Sequence, residues 1–267
     1  MDKKKPNAIR DAVRENYAGV AKRQGGGGCC CSSTSCCSGD GQITPVDSLK
    51  VGYAPDDLTA VPEGANMGLG CGNPHAIAAL QPGEVVLDLG SGGGFDCFLA
   101  AQRVGPTGRV IGVDMTSEMI GKARQNAEVG SYTNVEFRLG EIEALPVADN
   151  TADVIISNCV INLSPEKPRV FREAFRVLKT GGRLAISDVV ATANIPDHVR
   201  NDLAMLSGCV SGASMVTDIE AMLSEAGFTQ ITIAVNEQSR EFIRDWAPGS
   251  GVEAYVASAI IEAVKEV

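Results

Sequence analysis

"VLDLGSGGGFD", residues 86–96, is the stretch on which the fold turns. It closes a buried apolar run, "EVVLDLG" (84–90), and opens "FDCFLAAQRV" (95–104). The run is short and rich in aliphatic residues, as a strand covered on both faces should be. The second segment carries its apolar residues at helical spacing. The glycines between them make the turn. The same rhythm extends outward: "RVIGVD" (109–114), "VEFRLG" (135–140), "ADVIISN" (152–158) and "GGRLAISDVV" (181–190) read as strands. "SEMIGKARQNAEVG" and "PEKPRVFREAFRVL" read as helices between them. Strands alternating with helices of this length predict an α/β fold, a Rossmann-like, mostly parallel sheet with helices on both faces.

In such a sheet ligands bind at the carboxyl ends of the strands, where the strand order reverses. The dinucleotide fingerprint is G-x-G-x-x-G. Gly90 and Gly92 fit it, but Phe95 stands at the third glycine. The pattern here is G-x-G-x-G, ending at Gly94. A pyrophosphate favours a helix N-terminus at close range. Asp88, inside the motif, would repel phosphate and suits an ammonium group. S-adenosylmethionine has a methionine tail, a ribose and an adenine, and no phosphate. Asp114 ends the second strand, where a carboxylate can accept both ribose hydroxyls. "GEIEALP" follows the third strand and puts Glu141 and Ile142 near the adenine edge. Met115 and Asn158 complete the cofactor-binding candidates. Two alternatives stay open on these residues alone: a plain tight turn, and a nucleotide-dependent dehydrogenase.

The chain has 267 residues, 44% of them hydrophobic, and a formal net charge of −10. That balance argues against broad nucleic-acid binding, which needs a basic footprint. No apolar run approaches the roughly 20 residues of a membrane helix. The N-terminus "MDKKKPNAIRDAVRENY" is basic with no apolar block behind it, unlike a secretory leader. A cytoplasmic protein with free thiols is expected, and a monomer. Three regions are expected: an N-terminal helix and flexible arm (1–45), a cofactor-binding domain (46–190), and a smaller C-terminal α/β substrate-binding or lid region that completes the sheet (191–267). Residues 7–23 read as an amphipathic helix with Ile9, Val13, Tyr17 and Val20 on one face. Residues 45–64 read as a short helix and turns, and a helix is expected from about Pro74 to Leu80. Residues 197–226 read as helical with a break at "SGCVSGAS". "TQITIAVN" (229–236) reads as a strand, and "VEAYVASAIIEAVKEV" (252–267) as an amphipathic helix.

Nine cysteines remain to be placed. Cys29, Cys30, Cys31, Cys36 and Cys37 crowd into "GGGGCCCSSTSCCSG" (25–39), a Gly/Ser-rich tract. Such chain is flexible and is a poor platform for fixing a reacting atom. It suits a mobile arm that delivers thiols, or else a solvated linker. Cys97 falls in the apolar helix after the glycine loop and reads as a buried hydrophobe. The other three sit singly. Cys159 directly follows the fourth strand, at the ligand edge of the sheet. Cys71 lies in "GLGCGNP", before the first strand, where its glycine neighbours leave the thiol accessible. Cys209 lies in "LSGCVSGAS", after the fifth strand. Chain entering the first strand and chain leaving the fifth can both fold over the crevice, so the three can meet there. The plain alternative is that each is a small core residue. Structural zinc takes four ligands, usually with C-x-x-C pairs, and neither His75 nor His198 supplies a partner. Three soft thiolates suit a pyramidal trivalent centre such as arsenic(III), whose lone pair would face the open side.

With these residues in hand, the sequence resembles the arsenite S-adenosylmethionine methyltransferases, which are class I methyltransferases. The resemblance rests on "VPEGANMGLGCGNPHAIAALQPGEVVLDLGSGGGFDCFLAA", "VIGVDMTSEMIGKAR", "EIEALPVADNTADVIISNCVINLSPEKPRVFREAFRVLKTGGRLAISD", "LSGCVSGA" and "DWAPGSGVEAYVASA". These cover most of residues 46–262. The glycine loop is common to all class I methyltransferases, whereas "NCVINLSP" with "GLGCGNP" and "SGCVSGA" is specific. The resemblance implies a class I methyltransferase fold with S-adenosylmethionine as methyl donor. It implies arsenic(III), taken from arsenite or its thiol adducts, held by Cys71, Cys159 and Cys209. Mono- and dimethylated products are expected. An N-terminal cysteine would share in the redox cycle, with a reductant such as thioredoxin or glutathione, and the five clustered cysteines are equal candidates. The long C-terminal extension of some members has no counterpart in the sequence. Two rival activities share parts of this pattern: a small-molecule C- or O-methyltransferase, and a thiol-rich metalloid binder centred on Cys29–Cys37.

Overall fold

The computed structural model describes residues 6–23, 47–200, 209–246 and 249–266. Seven strands form one sheet in the order β3-β2-β1-β4-β5-β7-β6. Strands β1 (Val85–Leu89), β2 (Arg109–Asp114), β3 (Val135–Leu139), β4 (Ala152–Asn158) and β5 (Leu178–Ala191) are mutually parallel. The order reverses between β1 and β4, so their carboxyl ends frame a crevice.

Burial along the strands follows the pleat. Val86, Val110, Val154, Ile156 and Ala185 face one layer, with α3 (His75–Ala78), α4 (Phe95–Val104) and α5 (Ser117–Val129) packed on it. Leu87, Leu89, Ile111, Ile155, Leu184 and Ile186 face the other. That layer takes α6 (Lys167–Val177) through Val170, Phe171, Ala174 and Val177, and Ile219 and Leu223 of a helix at Val216–Ala226. Alternate residues of one strand thus build two separate cores, which is why the strands read as continuous apolar runs.

The C-terminal segment corrects the sequence reading. Val256–Val264 is a strand, β7, and not an amphipathic helix. It pairs antiparallel with β5 from Ala191↔Val256 to Arg183↔Val264, and with β6 (Thr229–Asn236) on its other side. A short apolar run reads equally as helix or buried strand. Tertiary pairing decides here, because β7 covers the edge of β5 that β4 leaves open and gives β6 its partner. The break around Cys209 separates α7 (Asp197–Arg200) from α8 (Val216–Ala226), with α9 (Arg240–Trp246) further on. Residues 55–59 and 75–78 form the two short helices α2 and α3.

Helix α1 (Pro6–Arg23) lies across the carboxyl edge of the sheet. Its Val13 packs in a cluster with Cys71, Cys159 and Cys209, and its Val20 and Ala21 pack against Met67 and Met119. Among the described residues no helix is long and apolar enough to cross a membrane.

Candidate active site

The glycine loop is pinned to the end of β2. The amides of Gly90 and Ser91 donate to the Val113 carbonyl at 2.7 and 3.0 Å. The Asp114 carboxylate accepts from the amides of Gly92 (3.0 Å) and Thr116 (2.8 Å). Gly90 has φ of 71°, and a Cβ there would run into the Val160 side chain next to Cys159. Only glycine lets the loop turn this close to the end of β4.

Above the loop lies a cleft. Asp88, Gly90, Gly92, Asp114, Met115, Ile142, Asn158 and Cys159 all line it. Gly94 does not border the cleft and caps α4 behind it. Glu141 differs from expectation. Its carboxylate turns to Arg10 (3.5 Å) and Arg14 (3.2 Å), and Glu143 takes the place at the cleft wall.

The cleft is acidic at its base. Burial pushes the Asp88 carboxyl well up, and neighbouring Asp96 pushes it further. The Cys97 thiol opposes this by donating to Asp88 at 3.2 Å. Cys97 is therefore buried, as its sequence suggests, but it also has a polar partner. Burial raises Asp114 as well, against the two amides that hold its charged form. Three carboxylates around one glycine loop suit a cationic ligand and oppose a phosphate.

Sequence reasoning named Asn158 but found neither the roof nor the partners that make Asn158 the centre of one wall. The roof is Arg10, Val13 and Tyr17 of α1. Arg10 is held by Glu143 at 3.0 Å and Glu166 at 2.5 Å. The wall is a polar network around Asn158. Asn158 Oδ1 accepts from the Cys71 amide (3.0 Å), while Nδ2 donates to the Gly72 carbonyl (2.8 Å) and the Tyr53 hydroxyl (2.9 Å). Tyr53 in turn donates to Asp96 at 2.6 Å. His75 Nε2 lies 3.1 Å from the same carboxylate without an aligned hydrogen bond. Asp96 was in view, two residues beyond the last glycine of the loop. Tyr53 and Arg10 had no sequence signal.

Three cysteines distant in the chain converge beside this wall. Cys71 and Cys159 are joined as a disulfide, with Cα atoms 5.8 Å apart. The Cys209 thiol donates to the Cys159 carbonyl at 2.7 Å. Burial, and then Asp188, push that thiol's pKa well up, so it is a neutral donor. All three are at most 4% exposed. This corrects the expectation for Cys71: its neighbouring glycines do not expose the thiol. They allow close approach, since a Cβ on Gly72 would overlap Ser187 Oγ. The Asp188 carboxylate lies within 4.8 Å of the Cys71 and Cys159 sulfurs, a set that does not include the Cys209 sulfur. It accepts from the amides of Ile161 (2.9 Å) and Val189 (2.7 Å), and burial pushes its pKa up to about 6. The five cysteines of residues 29–37 lie outside the described residues.

The switch point thus carries an acidic cleft with a thiol cluster at its side. A family model described as a methyltransferase domain matches residues 80–227. The arsenite methyltransferase of Halobacterium salinarum is 55% identical over 265 residues, covering 97% of this chain and 67% of that protein. The chain belongs to the arsenite methyltransferase family. Within that family, the arsenite methyltransferase of Aquipseudomonas alcaligenes is 47% identical over 167 residues, 60% of this chain and 48% of that protein. The chain thus spans about two thirds of one relative's length and under half of the other's. The crystal structure of an arsenic(III) S-adenosylmethionine methyltransferase from Chlamydomonas reinhardtii superposes with a TM-score of 0.61 at 32% identity. That match covers 84% of this chain and 75% of the other.

Proposed function

We propose that this arsenite methyltransferase family member transfers methyl groups from S-adenosylmethionine to arsenic(III), held by Cys71, Cys159 and Cys209. The observation that carries this reading is the convergence of those three cysteines beside an acidic, glycine-floored cleft. In this reading residues 46–190 bind the cofactor, residues 191–267 complete the arsenic site, and residues 1–45 supply the roof helix and auxiliary thiols.

The donor set fits the cofactor. The glycine loop allows close backbone approach, Asp88 and Asp96 face the methionine ammonium, and Asp114 takes the ribose hydroxyls. Bound S-adenosylmethionine supplies an electrophilic methyl on a sulfonium. Arsenite exchanges its hydroxyls for thiolates, and each thiol proton leaves with a hydroxyl as water. The Cys71–Cys159 disulfide must first be reduced. The arsenic lone pair then takes the methyl by in-line displacement, so catalysis is mostly positioning. No general base is required.

Methyl transfer raises arsenic to the pentavalent state. A further thiolate attacks one arsenic-bound sulfur, an S–S bond forms, and the As–S electron pair returns to arsenic. Cys29, Cys30, Cys31, Cys36 and Cys37 are candidates for that thiolate. Thioredoxin or glutathione resets the disulfide, as suits a monomer in the reducing cytoplasm. Each methyl removes one As–S bond, so retention weakens, and mono- and dimethylated arsenicals are the products.

The test is arsenic speciation after incubation of the reduced chain with arsenite and S-adenosylmethionine. Methylarsenicals, with S-adenosylhomocysteine released only when arsenite is present, support the reading. Release without arsenite points to another methyl acceptor and overturns it.

A further inference from the structure

The ligand arrangement holds a puzzle. Cys209 sits against Cys159 through its own thiol hydrogen, which donates to the Cys159 carbonyl. Once the sulfur binds arsenic as a thiolate that hydrogen is gone. Cys209 also has left-handed backbone, φ 62°, which a residue with a Cβ adopts only when its surroundings impose it. Something other than the thiol must hold it.

Resting on the ligand reading above, we propose that Asn162 is the positioning residue that keeps Cys209 beside Cys159, and so decides whether arsenic meets three sulfurs or two. Asn162 lies in the 3₁₀ turn Ile161–Leu163, directly after the Cys159 segment, and is 3% exposed. Its Nδ2 faces three acceptors: Asp188 Oδ1 (2.9 Å), the Val189 carbonyl (2.5 Å) and the Cys209 carbonyl (3.3 Å). Two amide hydrogens serve three oxygens, so the group is fully engaged. Asp188 is itself fixed to the end of β5 and to the Ile161 amide. The chain of contacts therefore runs from β5 through Asp188 and Asn162 to the Cys209 backbone. None of its links uses a sulfur, so it survives arsenic ligation. Lys167, donating to the Gly212 carbonyl at 2.7 Å, ties down the far side of the same loop. A leucine at 162 keeps the branched skeleton, with bulkier tips, but donates nothing. An aspartate would set a second carboxylate against Asp188.

The test uses the full chain, reduced and loaded with arsenite, and counts sulfurs on arsenic by X-ray absorption. The wild type should show three. Asn162→Leu should show two sulfurs and one oxygen, bind arsenite at least tenfold more weakly, and bind S-adenosylhomocysteine within twofold of wild type. In a Cys209→Ser background the same change should cost no further arsenite affinity, because the residue it positions is already lost. Should the leucine variant fail to bind S-adenosylhomocysteine, Asn162→Ser replaces it in the same measurements. Three sulfurs in the variant, or an equal affinity loss in the Cys209→Ser background, overturns the positioning role alone. Fewer than three sulfurs in the wild type overturns the ligand assignment and this proposal with it.

Discussion

Cys209 lies with its thiol 2.7 Å from the Cys159 carbonyl, and both residues hold left-handed backbone, with φ of 62° and 59°. Left-handed backbone costs an L-residue roughly 1–2 kcal/mol. Two such residues touching each other mark a place where packing holds the chain against its local preference. Glycine adopts that conformation freely but is more disordered when unfolded. Cys209→Gly is therefore expected to be more stable than Cys209→Ala by about 1 kcal/mol. Urea denaturation of the two variants measures this, and an alanine variant equal to or better than glycine contradicts the strained backbone. Neither variant should methylate arsenite.

The glycines on either side of Cys71 let its backbone lie against β4 and β5. A Cβ on Gly72 would overlap Ser187, and one on Gly70 would press on the Asn158 carboxamide. Gly72→Ala should displace Cys71 and weaken arsenite binding at least tenfold, with cofactor affinity near normal. Gly121, on α5, has open space at its Cβ position. Gly121→Ala is the matched control and should stabilise the helix by about 1 kcal/mol. Parallel isothermal titrations with arsenite and S-adenosylhomocysteine separate the two effects.

Much of the sheet is legible in the sequence because its strands are short aliphatic runs between turn residues. β7 is not, because "VASAIIEAV" has no period that separates helix from strand, and only its pairing with β5 and β6 decides. The meeting of Cys71, Cys159 and Cys209 follows from where the strands begin and end. Their burial does not, because a glycine neighbour reads as access in sequence and acts as clearance in space. Glu141 and Glu143 both follow the third strand, and which of them faces the cleft depends on a loop with no regular period. The Arg10–Glu143 pair joins residues 133 apart, a relation no local pattern carries.

That pair makes a prediction about the roof. Arg10 is a polar anchor of α1 over the cleft, and its side chain is 9% exposed. Removing one partner of a largely buried pair leaves the other charge uncompensated. Ser164 still donates to Glu143 at 2.7 Å, which softens the loss. Arg10→Ala should weaken S-adenosylhomocysteine binding about tenfold, roughly 1.4 kcal/mol, through a faster dissociation rate. Arg10→Lys keeps the charge but not the fork that spans Glu143 and Glu166, and should fall between. Stopped-flow displacement measures the rates, and an unchanged off-rate in Arg10→Ala would show that α1 does not retain the ligand.

Asp188 supplies a pH dependence whose sign is fixed by its environment. Burial raises its pKa from the ordinary 3.8 to about 6, against the amides that favour its charged form. The folded protein therefore holds this proton over a range where the unfolded chain has released it. The stability this contributes is complete below pH 3.8 and is lost as pH rises through about 6. A shift of that size corresponds to about 3 kcal/mol. Asp188→Asn carries no such proton, so its stability relative to wild type should improve by about 3 kcal/mol between about pH 3.5 and pH 7. The variant loses part of the amide-binding geometry at every pH, so the difference between the two pH values is the quantity to read. Paired denaturation curves at both pH values give it directly. A constant offset between the two proteins would mean that Asp188 titrates in the fold as it does in water.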